Sequence, residues 1–197
     1  MRRLFLISVL ACMALSAVIV SCNKGKADEG NPVIENIFER KSVRHFDVEE
    51  TVSQEELELL VKAGMAAPSA MNRQPWQFFV CSDKEIMSGL MEKLPYADML
   101  ESASAVIAVL GNPDVSPFWY LDCAAAVQNI LLAAEAMELG AVWVASYPDE
   151  NRISTIQDVL GIPEPWTPLA LVPVGCPAGE HEPKDKWDPA KVHYNKW

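Results

Sequence analysis

A short basic segment near the start of the main body carries side chains suited to holding an anion. Arg40 and Arg44 supply guanidinium groups, and Ser42 places a hydroxyl between them. Guanidinium groups bind phosphate through paired, charge-assisted hydrogen bonds. Residues two apart in an extended segment face the same side, so we expect Arg40 and Ser42 to face one ligand. Lys41 and His45 would then lie on the opposite side, at the protein surface.

A loop further along the chain carries groups that can pair with a flat heterocycle. Ser69 supplies a hydroxyl, and Asn72 and Gln74 supply amides. An amide both donates and accepts hydrogen bonds, so it can match the alternating donors and acceptors on a heterocycle edge. Pro68 and Pro75 restrict the loop backbone, which lowers the entropy cost of ordering it around a ligand. We expect this loop and the basic segment to hold two parts of one ligand.

Residues 40–46 and 67–78 together resemble the two N-terminal flavin-binding motifs of the nitroreductase family. The resemblance implies FMN as the cofactor and the α+β class, as a three-layer α-β-α sandwich with a mostly antiparallel central sheet. It also implies an intertwined homodimer. The expected function is transfer of two electrons from NAD(P)H, or from a membrane partner, through flavin N5 to a nitroaromatic or quinone-like acceptor.

The same resemblance implies a role for each residue of the two motifs. Arg40 and Ser42 are expected at the phosphate and ribityl end of FMN, and Arg44 at the N1/O2 edge of the ring. A cation at that edge stabilises the negative charge of reduced flavin and raises its reduction potential. Pro68 and Ser69 are expected to contact the flavin across the dimer interface. No side chain is expected to act as a nucleophile or general acid, because the cofactor carries the chemistry.

Two later stretches extend the resemblance. Residues 139–147 resemble the family stretch whose backbone runs past the flavin ring, which makes Ala145 and Ser146 candidate contacts. Many relatives carry an acidic residue or a glycine at these positions, and this chain carries neither. The C-terminal region resembles the family's phosphate motif, with Lys184 and Lys186 as candidates. Relatives commonly have arginine in place of Lys186, and lysine keeps the charge but loses the bidentate geometry.

Two other functions stay open, and the departures at Ala145, Ser146 and Lys186 favour the first of them. The first is a non-catalytic, flavin-binding redox sensor or carrier. The second is a thiol redox protein that uses Cys81, Cys123 or Cys176, although no C-x-x-C pair occurs in the chain. The tail histidines His181 and His193 fit no zinc signature, so we expect them at the surface and predict no metal site.

The N-terminus has the pattern of a secretory signal. Two arginines precede an apolar run over residues 4–20, and a serine stands directly before Cys22. The pattern predicts a signal peptide over residues 1–21, lipid modification of Cys22 and a flexible tether over residues 22–31. The alternative is an uncleaved N-terminal anchor helix. Either interpretation predicts an exported, membrane-anchored bacterial protein on the periplasmic face or the cell surface, where NAD(P)H is scarce.

The main body, residues 32–197, is predicted to form one domain. The formal net charge of the whole chain is −11, which disfavours a nucleic-acid partner. Helices are predicted from Pro32, from the capping box at Ser53, and over residues 84–93, 119–139 and 149–160, with Gly140 as a helix stop. Strands are predicted over residues 76–81, 103–110, 141–145 and 169–174. The glycine fingerprints of parallel nucleotide-binding folds are missing, which favours the α+β arrangement.

The C-terminal tail, residues 175–197, contains three large aromatic side chains: Trp187, Tyr194 and Trp197. Each needs apolar surface to cover it, so a freely solvated tail is disfavoured. Packing onto the same chain would supply that surface. The family resemblance instead implies that the tail wraps the neighbouring subunit, and we expect wrapping.

Overall fold

An antiparallel sheet lies at the centre of the fold, with helices on both of its faces. The computed structural model describes residues 30–197. The strands are β1 (Trp76–Cys81), β2 (Ala105–Gly111), β3 (Gly140–Ala141), β4 (Val144–Ala145) and β5 (Thr167–Gly175). They are ordered β1-β2-β5-β3, with β4 also paired to β5, and every pairing is antiparallel. The antiparallel sheet predicted from the sequence is therefore confirmed.

The described residues form five α-helices: α1 (Pro32–Glu39), α2 (Gln54–Met65), α3 (Lys84–Lys93), α4 (Trp119–Ala136) and α5 (Glu150–Leu160). Strand β2 shows how the layers form, because its residues alternate between two hydrophobic clusters. Ile107 and Val109 pack in one cluster with α2 and α4. Val106 and Ala108 pack in the other with α3 and α5. Burial of both faces of the sheet makes the three-layer α-β-α sandwich.

The prediction that Gly140 ends the long central helix is wrong. Helix α4 ends at Ala136, and Glu138 takes the left-handed backbone conformation, with φ of 58°. Gly140 instead opens β3. A Cβ at this position would lie 2.7 Å from Cγ1 of Val43, so the glycine is required for close packing against the basic segment. A contact with a residue so distant in sequence gives no local signal.

Most other boundaries follow the sequence closely. Strand β1 and helix α3 have the predicted limits, and the capping box at Ser53 is formed. The single strand predicted over residues 141–145 is interrupted, because Val142 and Trp143 leave the ladder between β3 and β4. That interruption lies beside the larger of the two cavities described below.

The predicted signal peptide, the predicted lipidation site Cys22 and nearly all of the predicted tether lie outside the described residues. Residues Pro32–Trp197 form one compact unit. Among residues 30–197, no helix combines the length and the apolar character needed to span a bilayer.

Candidate functional site

The basic segment is held in place by two buried side chains and by its backbone. Val43 and Phe46 are only 2% and 4% exposed. The Val43 N–H donates to the Ala141 carbonyl at 3.0 Å, which attaches the segment to the edge strand β3. With Val43 buried, Ser42 and Arg44 on either side of it are exposed to solvent.

The start of the tail lies against the same segment. Phe46 and Pro177 form an antiparallel bridge, and the Asp47 N–H donates to the Cys176 carbonyl at 2.9 Å. The Ala178 N–H donates to the His45 carbonyl at 3.0 Å. These bonds join the two ends of the domain, and the residues that follow Ala178 therefore lie beside the basic segment.

A pocket of about 260 Å³ forms where the two ends meet, and we call it the basic pocket. Its lining residues are Arg40, Lys41, Ser42, Arg44, His181, Glu182, Lys184 and Lys186. The structure thus brings together five of the predicted site residues from opposite ends of the domain. Five cationic side chains face one carboxylate here, in a chain whose formal net charge is −11. Such a local excess of positive charge attracts anions.

Two expectations for neighbouring residues need correction. Lys41 is not a free surface residue, because its ammonium donates to the Glu135 carboxylate of α4 at 2.7 Å and both side chains are largely buried. His181 is half-buried and lines the basic pocket instead of lying on open surface. His45 is exposed, as expected, but it lines a second cavity.

That second cavity has a volume of about 710 Å³, and we call it the large cavity. Arg44 lines both spaces, so the two adjoin at this side chain. Tyr96, Met99 and Trp143 give the large cavity apolar and aromatic walls, and Arg152 adds a second guanidinium. Its volume falls in the range of about 300–1,000 Å³ that is usual for small-molecule sites.

Ala145 and Ser146 occupy different environments. Ala145 is exposed and lines the large cavity, and its carbonyl accepts a hydrogen bond of 3.0 Å from Arg152 Nη1. Ser146 is 2% exposed, its N–H donates to the Leu169 carbonyl at 3.0 Å, and its buried hydroxyl has no hydrogen-bond partner. Ser146 lines neither cavity, and its flavin contact stays a prediction.

The loop with Pro68, Ser69, Asn72 and Gln74 has an ordered internal structure. The Gln74 N–H donates to Ser69 Oγ, and Gln74 Nε2 donates to Asn72 Oδ1, both at 3.0 Å. Asn72 and Gln74 both have left-handed backbone angles, with φ of 55° and 49°. Non-glycine residues in this region carry a cost that surrounding contacts must offset.

A buried carboxylate at the start of α4 supplies one of those contacts. Asp122 Oδ1 accepts from the Ala70 N–H at 2.9 Å, and its Oδ2 accepts from the Ser116 hydroxyl at 3.1 Å. None of the four predicted loop residues lines either cavity of this chain. The structure therefore does not bring them to the basic pocket within one subunit, and their flavin contacts stay a prediction.

Cys81, Cys123 and Cys176 line neither the basic pocket nor the large cavity. Burial, with the nearby Asp122 charge, raises the pKa of Cys123 to about 12. Burial, with the charges of Glu50, Glu56 and Asp47, also raises the pKa of Cys176. Within the part of the chain that the structure describes, no group of three or more potential metal ligands comes together.

Sequence reasoning missed Tyr96, Met99, Trp143 and Arg152 of the large cavity, and His181 of the basic pocket. The first two lie in the segment between α3 and β2, and Arg152 lies in the first turn of α5. These three belong to no motif that stands out in the sequence, whereas Trp143 lies within the stretch 139–147 that resembles a family motif. For His181 a signal did exist, since it lies three residues before Lys184 and five before Lys186.

Comparison with known proteins agrees with this architecture. The profile of the nitroreductase family matches residues 37–102 and 90–176. A protein of Archaeoglobus fulgidus, provisionally named NADH dehydrogenase/NAD(P)H nitroreductase, is 39% identical over 168 residues, covering 82% of this chain and 96% of its own length.

Two solved structures extend the comparison. A crystal structure from Bacteroides thetaiotaomicron with the same provisional name is 47% identical, has a TM-score of 0.83, and covers 85% of this chain and 99% of its own. A provisionally named nitroreductase from Desulfovibrio desulfuricans, solved in complex with FMN, is 29% identical with a TM-score of 0.76, covering 85% of this chain and 98% of its own. The chain belongs to the nitroreductase family.

Proposed function

We propose that this protein is an FMN-dependent oxidoreductase that takes two electrons from NAD(P)H and passes them to a nitroaromatic or quinone-like acceptor. One observation carries the proposal: residues from both ends of the domain converge on a basic pocket that adjoins the large cavity at Arg44. The relative solved with FMN and the relative named for NAD(P)H support the choice of cofactor and donor.

The residues present fit FMN in both charge and size. The basic pocket, at about 260 Å³, is small for a whole cofactor but suits a phosphoryl group, which Arg40, Ser42, Lys184 and Lys186 would hold. The large cavity, at about 710 Å³, has room for a flat tricyclic ring, and its lining combines apolar and aromatic side chains with charged ones. Arg44 borders both spaces, so its guanidinium can reach the ring side of the ligand.

When bound, FMN supplies reversible two-electron redox chemistry. Arg44 would favour negative charge on the part of the ring beside it, and that would raise the reduction potential of the flavin. Ala145 presents backbone to the large cavity, with its carbonyl already held by Arg152. Tyr96, Met99 and Trp143 would supply apolar and aromatic contacts to the ring. No protein nucleophile is needed, which agrees with the raised pKa of Cys123.

The complete site would be built by a homodimer. Pro68, Ser69, Asn72 and Gln74 would contact the flavin bound by the partner subunit, which accounts for their place outside both cavities of their own chain. The tail supports this assembly, because Trp187, Tyr194 and Trp197 are 71%, 79% and 100% exposed in the single subunit. Aromatic side chains this exposed gain most by packing on a second chain.

The proposal also includes export of the enzyme and its attachment to a membrane by a lipid. A signal peptide over residues 1–21 and a lipid on Cys22 would place the enzyme on the outer side of the cytoplasmic membrane or on the cell surface. NAD(P)H is scarce there, so a membrane electron donor is the alternative source of reducing equivalents.

The decisive experiment is a spectrum of the purified chain from residue 23 onward, followed by release and mass identification of any chromophore. We expect bound FMN, and bleaching of it by NADH or NADPH without oxygen. A colourless protein that refuses added FMN would overturn the proposal. A flavin-loaded protein that neither nucleotide bleaches, and that reduces no acceptor after chemical reduction, would instead be a sensor or carrier, the role favoured by the departures at Ala145, Ser146 and Lys186.

A further inference from the structure

His181 lines the basic pocket together with Lys184 and Lys186 of the tail. It is half-buried and lies on the tail, beyond the bonds that fix the tail to the basic segment. It differs in kind from the arginines and lysines around it, because histidine is the side chain that ordinarily changes charge between pH 5 and 8.

The orientation of the His181 ring is fixed by its own loop. Its Nε2 lies 3.0 Å from the Ala178 carbonyl oxygen. A carbonyl oxygen only accepts, so Nε2 must carry the hydrogen and donate it. Ala178 is itself tied to the basic segment through its N–H and the His45 carbonyl. In the neutral ring Nδ1 is then the acceptor nitrogen, and a proton added there creates a second donor.

The charged groups that share the pocket come from two parts of the chain: Arg40, Lys41 and Arg44 from the basic segment, and Glu182, Lys184 and Lys186 from the tail. Glu135 of α4 pairs with Lys41 and offsets one of these charges. The cations of the pocket attract an anion. A phosphate monoester carries about −1.5 to −2 charges near pH 7, and within the pocket it would favour positive charge on the His181 ring.

Building on the proposed function, we propose that His181 binds the phosphate of FMN in its protonated form and makes retention of the cofactor depend on pH. A proton from solvent binds Nδ1 as the phosphate enters, and returns to solvent as FMN leaves. The imidazole contribution to affinity is therefore present at acidic pH and lost as pH rises.

The test compares dissociation constants for FMN, from quenching of flavin fluorescence, between the wild type and His181→Gln. Glutamine keeps an N–H donor for the Ala178 carbonyl but cannot become a cation. We expect the variant to bind roughly five- to tenfold more weakly near pH 5.5, and about equally near pH 8.5. The ratio of the two constants cancels the titration of the phosphate itself.

Two controls separate the role of the phosphate from other effects. Riboflavin has the same ring without phosphate, so its ratio should stay near one at every pH. His193→Gln changes a histidine that stacks on Trp197 outside the pocket, and should leave FMN binding unchanged. Calorimetry of the wild type near pH 7.5, in buffers of different ionisation enthalpy, should show net proton uptake on FMN binding.

The outcomes distinguish this inference from the proposed function. Tight FMN binding with a ratio that does not vary with pH, or with an equal change for riboflavin, would overturn the role of His181 alone. Absence of proton uptake by the wild type would do the same even if His181→Gln failed to fold. A wild type that binds neither flavin would overturn both the role of His181 and the proposed function.

Discussion

Lys41 and Glu135 form a largely buried ion pair that joins the basic segment to the last turn of α4. The ammonium and the carboxylate are 2.7 Å apart, and their side chains are 23% and 15% exposed. Lys41 is one of five cations in the basic pocket, and it alone has a carboxylate partner among the ion pairs found in residues 30–197. The pair therefore positions the segment and reduces repulsion within the pocket.

Replacing Glu135 with Gln should lower the free energy of unfolding by about 1–2 kcal/mol. The reason is that the largely buried Lys41 ammonium then loses its charge-assisted hydrogen bond to a carboxylate. Urea denaturation measures the change. The matched control is Glu58→Gln, which breaks the exposed 3.8 Å pair with Lys62 and should cost less than about 0.5 kcal/mol. Equal effects of the two substitutions would contradict a special role for the buried pair.

Gly140→Ala should destabilise the protein and weaken FMN binding together. The new Cβ would meet Val43 Cγ1 at 2.7 Å and Phe46 Cε1 at 3.1 Å, so the basic segment must shift. Overpacking of this kind costs about 1–3 kcal/mol. Thermal unfolding and FMN titration measure the two effects.

Gly89→Ala provides the control for that substitution. Gly89 lies inside α3, and its nearest neighbour would be an ordinary 3.8 Å contact with Val159. This variant should be stabilised by about 0.5–1 kcal/mol through helix propensity, with FMN binding unchanged. A loss of stability in Gly89→Ala as large as that in Gly140→Ala would show that glycine loss, and not the clash with Val43, explains the effect.

The contrast between these glycines shows what sequence can and cannot predict. The limits of β1 and α3, and the capping box at Ser53, could be predicted because each depends on residues that are close together in the sequence. The pairing of Lys41 with Glu135 joins residues 94 apart in sequence. The packing of Gly140 on Val43 has no local signal either, because both depend on how distant elements meet.

The same distinction applies to the site. Arg40, Ser42 and Arg44 could be found because an alternating basic segment matches a family motif, and the tail lysines because a second motif lies in the expected order. Tyr96 and Arg152 line the large cavity from a loop and from a helix. The sequences of both segments indicate their local structure but give no sign of a ligand site. Only the folded arrangement of α3, α5 and β4 brings them together.

Glu56 should make stability depend on acid pH. Hydrogen bonds from the Ser53 hydroxyl and backbone N–H lower the pKa of this carboxyl below 4.5. A lowered pKa in the folded state gives a stabilisation that is present above the unfolded value and lost as pH falls through the folded value. Glu56→Gln should therefore be less stable than wild type at neutral pH, with the difference shrinking below about pH 4.

Urea denaturation at a series of pH values measures that difference. Ser53→Ala removes the other half of the capping box and should cost about 1 kcal/mol at neutral pH. Glu55→Gln, in the same first turn but without the capping hydrogen bond, is the control. If Glu55→Gln and Glu56→Gln follow the same pH profile, the capping box does not cause the dependence.

Cys123 should make stability depend on alkaline pH in the opposite sense. Its pKa is about 12 in the folded protein against an ordinary value of 9.0, so unfolding releases a proton above pH 9. The contribution to stability is then fully present below the pKa of the unfolded state, and it decreases as pH rises from 9 toward 12.

At pH 8 the folded protein should protect the Cys123 thiol from iodoacetamide, and mass spectrometry should detect modification only after unfolding. Rapid labelling of native Cys123 would contradict its burial.

Arg44→Met should make bound FMN harder to reduce, because the variant removes the cation that borders both the basic pocket and the large cavity. A loss of about 1.4–3 kcal/mol in stabilisation of the reduced form corresponds to a midpoint potential lower by roughly 30–60 mV for two electrons. Spectroelectrochemical titration of the flavin-loaded protein measures the shift.

Lys184→Met is the matched control, because Lys184 lines the basic pocket and not the large cavity. Its loss should weaken FMN binding but leave the midpoint potential within about 10 mV of the wild-type value. Equal potentials in the wild type and Arg44→Met would place Arg44 away from the ring and restrict it to the phosphate.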